Sequence, residues 1–325
     1  MSDETITVAH RGQAHAAEDR AVRDLRQPFA RGLRERLIEA PLLLAALVSI
    51  FTTAGIIGVL LFETIEFFQE VPLWRFLTET QWTPLFTERY YGIIVLLSAT
   101  FTTSLGAMVV ALPLGLLAAI YLSEYAGPRA RRIIKPVLEI LAGIPSVVLG
   151  FFALTWISPN IVRTLFTEST GFSLLAAGLG VGILTIPLVA SISEDAMRAV
   201  PNSLREASYG LGARRVTTSL RVVAPAAISG IVAALILAVS RAIGETMVVA
   251  IAAGASGGSL FTADPRDPGQ TLTAAMASLA TGSDNVTGDS SAFLSLFFLG
   301  FVLFLLTLGL NLIGDVFVRR TRQVY

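Results

Sequence analysis

Arg241 and Glu245 stand four residues apart, about one helical turn, inside an apolar run that reaches from Ala226 to Ala253. A planar guanidinium keeps its charge in a dry setting and can hold two oxygens of one oxyanion at once. A carboxylate on the same helical face would orient that guanidinium while the site is empty and weaken its hold on a bound anion. The same two residues also suit a fixed structural ion pair. Ser240 and Thr246 flank them and offer hydroxyl donors, unless each bonds its own backbone instead. One arginine without a surrounding cage suits passing contact better than tight storage.

Other routes to chemistry are closed. The sequence has no Cys, which excludes thiol nucleophiles, disulfides and Cys-ligated zinc. Its two histidines, His10 and His15, precede the first apolar run, so neither supports a buried catalytic or metal site. Lys135 is the single lysine, and Pro136 follows it where a phosphate-binding loop needs Ser or Thr. If nucleotide drives the protein, another subunit binds that nucleotide.

The elements that hold Arg241 must cross a bilayer. Of 325 residues 54% are hydrophobic and 15% charged, and the mean hydropathy is +0.70. A spanning helix needs about 20 mostly apolar residues. Six stretches qualify, at about 41–68, 92–122, 136–157, 172–192, 226–253 and 292–317. Counted from Pro225, Arg241 lies about 24 Å along its helix, where an ionised side chain needs a cavity or a partner and by default marks a pathway. Proline and glycine punctuate the spans at Pro113, Gly143, Pro145 and Pro187, as kinks or as parts of a pathway. Ser146, just after Pro145, is a further pathway candidate. Glu139 is expected to pair with an arginine of the adjoining basic connection, and Trp74, Trp82, Tyr90 and Tyr91 to anchor the first outer loop at the headgroups.

Basic residues fix the orientation. The tail before Pro41, the second and fourth connections and the C-terminus together hold 19 Lys or Arg, and the other three connections hold four. Cytoplasmic segments retain the basic residues, so both termini are expected in the cytoplasm. Residues 1–40 read as a cytoplasmic tail. Its Leu25, Phe29, Leu33 and Leu37 draw one helical stripe that predicts an amphipathic interfacial helix, and the alternative is a solvated charged tail. The membrane domain then runs over 41–320, with a cytoplasmic loop at 194–224.

That loop is too organised for a linker. Pro201 and Ser203 are placed to open a helix, Glu206, Ala207 and Ser208 follow, and Gly212 and Ala213 turn the chain toward a second segment ending at Pro225 and Ala226. The run Glu206-Ala207, Gly212-Ala213, Pro225-Ala226 resembles the EAA loop of ABC-importer permeases, with Ser208 where the family carries a second alanine. A plain helical hairpin is the competing reading. Tyr121 to Ala126, Lys135-Pro136 with Leu138 to Val148, and Arg241-Ala242-Ile243-Gly244-Glu245-Thr246-Met247 are similar to the PstC family of permeases of phosphate-specific ABC importers. The resemblance covers roughly residues 90–320. It implies an all-α integral membrane protein of six transmembrane helices in the type I importer arrangement. In that arrangement the chain would pair with a PstA-like permease above a dimer of PstB-like ATPases, which bind ATP and magnesium. A PstS-like protein would deliver phosphate from outside, so the chain needs no cofactor of its own and is no enzyme. Ser203, Glu206, Ala207, Ser208, Gly212 and Ala213 would form the ATPase-coupling loop, and Arg241, Glu245, Ser240, Thr246 and Ser146 the substrate pathway. A permease for sulfate or molybdate, or a channel or carrier that works without an ATPase, would fit much of the same pattern.

Overall fold

The computed structural model describes residues 29–254, 258–281 and 291–321. Leu25 of the tail stripe and the tail before Phe29 lie outside the described residues, as do the side chains of Phe29 and Leu33. The elements in chain order are α1 (Phe29–Glu70), α2 (Leu73–Thr78), β1 (Gln81–Trp82), α3 (Ile93–Tyr125), α4 (Pro128–Ala142), α5 (Ser146–Leu165), α6 (Leu174–Arg198), α7 (Asn202–Gly210), α8 (Arg215–Ala226), α9 (Ile228–Ile243), α10 (Met247–Ala252), β2 (Ser259–Leu260), α11 (Leu272–Thr281) and α12 (Ser291–Thr321). α1, α3, α5, α6 and α12 are long and apolar enough to cross a membrane, and the pair α8 and α9, bent by 72°, is a sixth if the two helices count as one broken span. The protein is therefore an all-α, multi-pass membrane protein. The chain divides between Val59 and Leu60 into two units, and the packing described below belongs to residues 60–321.

Two expected spans are redrawn. The third, expected over 136–157, is two helices: α4 ends at Gly143, and α5 begins after Pro145, whose ring precludes a continuous hydrogen-bond ladder. α4 buries none of its residues, and its Arg131 and Lys135 share it with an exposed apolar set of Ile133, Val137, Ile140 and Leu141. Such a helix lies along an interface better than it spans one. The fifth span, expected unbroken over 226–253, turns at Ala227 and stops at Ile243; Gly244, Glu245 and Thr246 separate it from α10. Pro113 and Pro187, by contrast, sit inside unbroken helices.

α3 and α6 pack most extensively, and small residues let them do so. A Cβ added at Gly182 would lie 2.9 Å from the Ala107 carbonyl oxygen, so the two backbones meet where a side chain has no room. Ala107, Ala176, Ala177, Val181 and Leu184 continue that core toward α5 and α10. A second core is aromatic. Phe67, Phe76, Tyr91 and Phe298 converge with contacting ring centroids 4.7 to 6.2 Å apart, worth about 0.5–1.5 kcal/mol per pair beyond area burial. Trp82 and Tyr91 join this core fully buried, so they are not headgroup anchors; of the other two expected anchors Trp74 is exposed and Tyr90 half-buried. α11, ten residues in the connection before α12, was hidden in the sequence because it is too short to register as a span.

Candidate substrate pathway and coupling loop

α9 carries Arg241 13 residues past Ile228, about 20 Å along the helix. The side chain is exposed to a cavity of about 180 Å³ that it shares with Lys135 and Glu139 of α4 and Pro187, Ser191 and Glu194 of α6. Among the described residues Arg241 has no hydrogen bond or ion pair. The expected pair with Glu245 is absent, because the helix ends at Ile243 and Glu245 falls in the break rather than on the next turn. The Glu245 carboxylate instead faces the start of α10, with Oε1 3.5 Å from the Val248 N–H, and its carbonyl accepts from Thr273 Oγ1 at 2.7 Å.

The flanking hydroxyls also point elsewhere. Ser240 donates across to Asn311 of α12 at 3.4 Å. Thr246 donates to the Gly244 carbonyl and lines a separate cavity of about 330 Å³ with Thr273, Met276 and Leu296. Ser146 sits half-buried in the first turn after Pro145. Of the five pathway candidates, then, Arg241 alone lines the cavity beside α4 and α6. A residue not singled out earlier links the break to the rest of the fold: Thr100 of α3, fully buried, accepts from the Leu272 N–H at 3.0 Å and so holds the first turn of α11.

Three cations gather on Glu194, read earlier as loop but in fact part of α6, which runs on to Arg198. Its carboxylate is completely buried. Arg131 Nε lies 3.0 Å from it, Lys135 Nζ 3.4 Å and Arg198 3.9 Å, so α4 is pinned to α6 by charge. Glu139, the partner expected for the basic connection, has no ion pair among the described residues; Glu194 holds that place because it lies on the face of α6 toward α4. The hydrogen bond from Lys135 to Asp195 at 2.9 Å, with Glu194 behind it, raises the lysine pKa above its ordinary value and keeps it charged.

The loop expected over 194–224 is a helix and a defined turn. α7 starts at Asn202 with Pro201 before it, so Ser203 lies inside the helix and caps nothing. Its end is a Schellman motif: the Ala213 N–H bonds the Ser208 carbonyl at 3.1 Å and the Gly212 N–H bonds that of Tyr209 at 2.9 Å. Gly212 has φ +78°, a left-handed conformation that L side chains resist. Nothing lies within 4 Å of a Cβ there, so the backbone and not crowding demands the glycine. The Ser208 hydroxyl is buried against Thr218 at 2.9 Å, which ties α7 to α8. Arg205 braces the base, pairing with Glu124 at 2.9 Å and donating to the carbonyls of Val200 and Met197. Glu206 and Ala207 are exposed, and Leu211 at the tip is 90% exposed.

These features have relatives. The family model described as the inner membrane component of binding-protein-dependent transport systems matches residues 111–323, well over half of the chain. The chain belongs to that family. It is 38% identical over 180 residues to the probable ABC transporter permease protein YqgH of Bacillus subtilis, covering 55% of this chain and 58% of that one. It is 32% identical over 263 residues to the phosphate transport system permease protein PstC of Xylella fastidiosa, covering 75% of this chain and 78% of that one. The chain spans between half and three-fifths of the length of the first curated relatives it matches. In fold it is similar to a chain of a bacterial alginate ABC transporter solved with an alginate pentasaccharide-bound periplasmic protein, with a TM-score of 0.61 at 15% identity over 92% of this chain and 99% of that one.

Proposed function

We propose that this chain is the permease subunit of an ATP-driven importer that moves inorganic phosphate into the cytoplasm by alternating access. Similarity to a phosphate transport permease along 263 residues supports the substrate class. The observation that carries the reading is Arg241, a cation deep in a span that lines a cavity and has no carboxylate within ion-pair distance among the described residues. A charge without an ion-pair partner at that depth is costly and by default marks a pathway. Its bidentate fork suits a tetrahedral oxyanion in passing. Glu245, Thr246 and Thr273 then act on the helix break beside it and not as a counter-charge.

In this reading the partners are a PstA-like permease, a pair of PstB-like ATPases that bind ATP and magnesium, and a PstS-like phosphate-binding protein. Both termini and α7 face the cytoplasm of a cell membrane. α7 is the coupling element: braced by Arg205, closed by Gly212 and tipped by Leu211, it presents an apolar knob on a rigid stalk to an ATPase groove. The chain does no chemistry itself. The test is uptake by vesicles holding the assembled complex, with phosphate, sulfate and molybdate offered separately. Uptake of phosphate alone, dependent on ATP and lost in Arg241→Gln, supports the proposal; preference for another oxyanion, or uptake without an ATPase, overturns it.

A further inference from the structure

Below the transmembrane part, two adjoining cavities of about 640 and 380 Å³ share Ser123, Glu124, Arg131, Arg198 and Arg215 as walls. Their cations are Arg131, Arg132, Lys135, Arg198, Arg205 and Arg215, against the carboxylates of Glu124 and Glu139. Some of that charge is spent internally. Arg205 is paired with Glu124, and Arg131 and Lys135 with the buried Glu194 and with Asp195. Arg132 and Arg215 have no ion pair among the described residues, and Arg198 reaches Glu194 only at 3.9 Å. Arg215 is held in place instead by the ring of Tyr125, 5.1 Å away. Arg131 Nε, fully buried, lies near Glu194 without the alignment of a hydrogen bond, so this donor has no hydrogen-bond partner among the described residues. Guanidinium groups left over on several sides of a concave wall, one of them fixed by an aromatic face, make a receptor for the oxygens of a phosphate group.

We infer that this cytoplasmic cavity binds a phosphate group, carried by inorganic phosphate or by the headgroup of an anionic phospholipid, at a site that adjoins the Arg241 cavity through Lys135 and Glu139 but does not include Arg241. The walls suit either source: the polar side is open to water, and α4 presents an exposed apolar set beside it where acyl chains would run. The inference rests on the cavity and not on which anion is transported.

The chain has no native Cys, so Ser123→Cys places one thiol in both cavities. The purified complex in phosphatidylcholine nanodiscs would be treated with a water-soluble thiol reagent while inorganic phosphate is raised, and again in nanodiscs containing phosphatidylglycerol. Slower labelling with inorganic phosphate identifies the free anion; slower labelling only with phosphatidylglycerol identifies the headgroup. Either supports the site, provided that Arg132→Gln with Arg215→Gln weakens the protection at least tenfold and the two lysine substitutions restore part of it. Equal labelling under all conditions overturns it. So does protection that appears only when the ATPase is bound, which would make the cavity a seat for an acidic segment of that subunit. Because neither arginine carries an ion pair, the paired substitution is expected to assemble, and its complex yield is measured alongside.

Discussion

Arg241 can be removed without stranding a buried partner, since no carboxylate lies within ion-pair distance of it among the described residues. Arg241→Gln is therefore expected to leave complex yield near that of the parent and to reduce phosphate uptake at least about tenfold, from loss of a charged hydrogen bond of about 1.5–3 kcal/mol. A double replacement with Glu245→Gln should show no rescue; restored uptake in the double would mean that the pair closes in another state of the cycle. Glu194 behaves oppositely. Glu194→Gln leaves Arg131 and Lys135 facing a neutral group, so the thermal midpoint in detergent should fall by an amount matching about 3 kcal/mol, and an unchanged midpoint would reassign α4 to other anchors. Sequence made Arg241 visible because it interrupts an apolar run. Glu194 was invisible, because a carboxylate near a span's end reads as loop until the helix is seen to continue and α4 is seen to fold back on it.

The loop around α7 was legible because its turn chemistry is local: a glycine at the left-handed position closes α7 wherever the helix sits. Gly212→Ala is expected to cost about 1–2 kcal/mol from the positive φ alone, lowering ATPase-coupled transport while the chain still inserts. Leu211→Asp changes only the exposed tip, and ATPase copurification should fall with the thermal midpoint unmoved. Retained copurification in both variants would leave α7 a bystander. The breaks at Gly143–Pro145 and Gly244–Thr246 were harder to place. Apolar composition continues across both, so hydropathy alone draws one span where the backbone makes two segments.

At the scale of the whole molecule, six spans and a 19 to 4 division of basic residues predict that cysteine at Arg214 reacts with reagent from the cytoplasmic side and cysteine at Leu260 with reagent from outside. Labelling of both from one side would end the six-span arrangement. The outer face carries a further implication. β1 pairs with β2, Trp82 bridges to Tyr91, and the Tyr91 hydroxyl lies 3.0 Å from Ser291 Oγ, while Phe298 closes the aromatic core begun by Phe67 and Phe76. Those partners are separated by up to 200 or more residues of chain. During synthesis, Phe67, Phe76 and Tyr91 emerge long before the residues that cover them, so the seam has to wait for the last helix. A chain that stopped ahead of Ser291 would leave this aromatic surface uncovered.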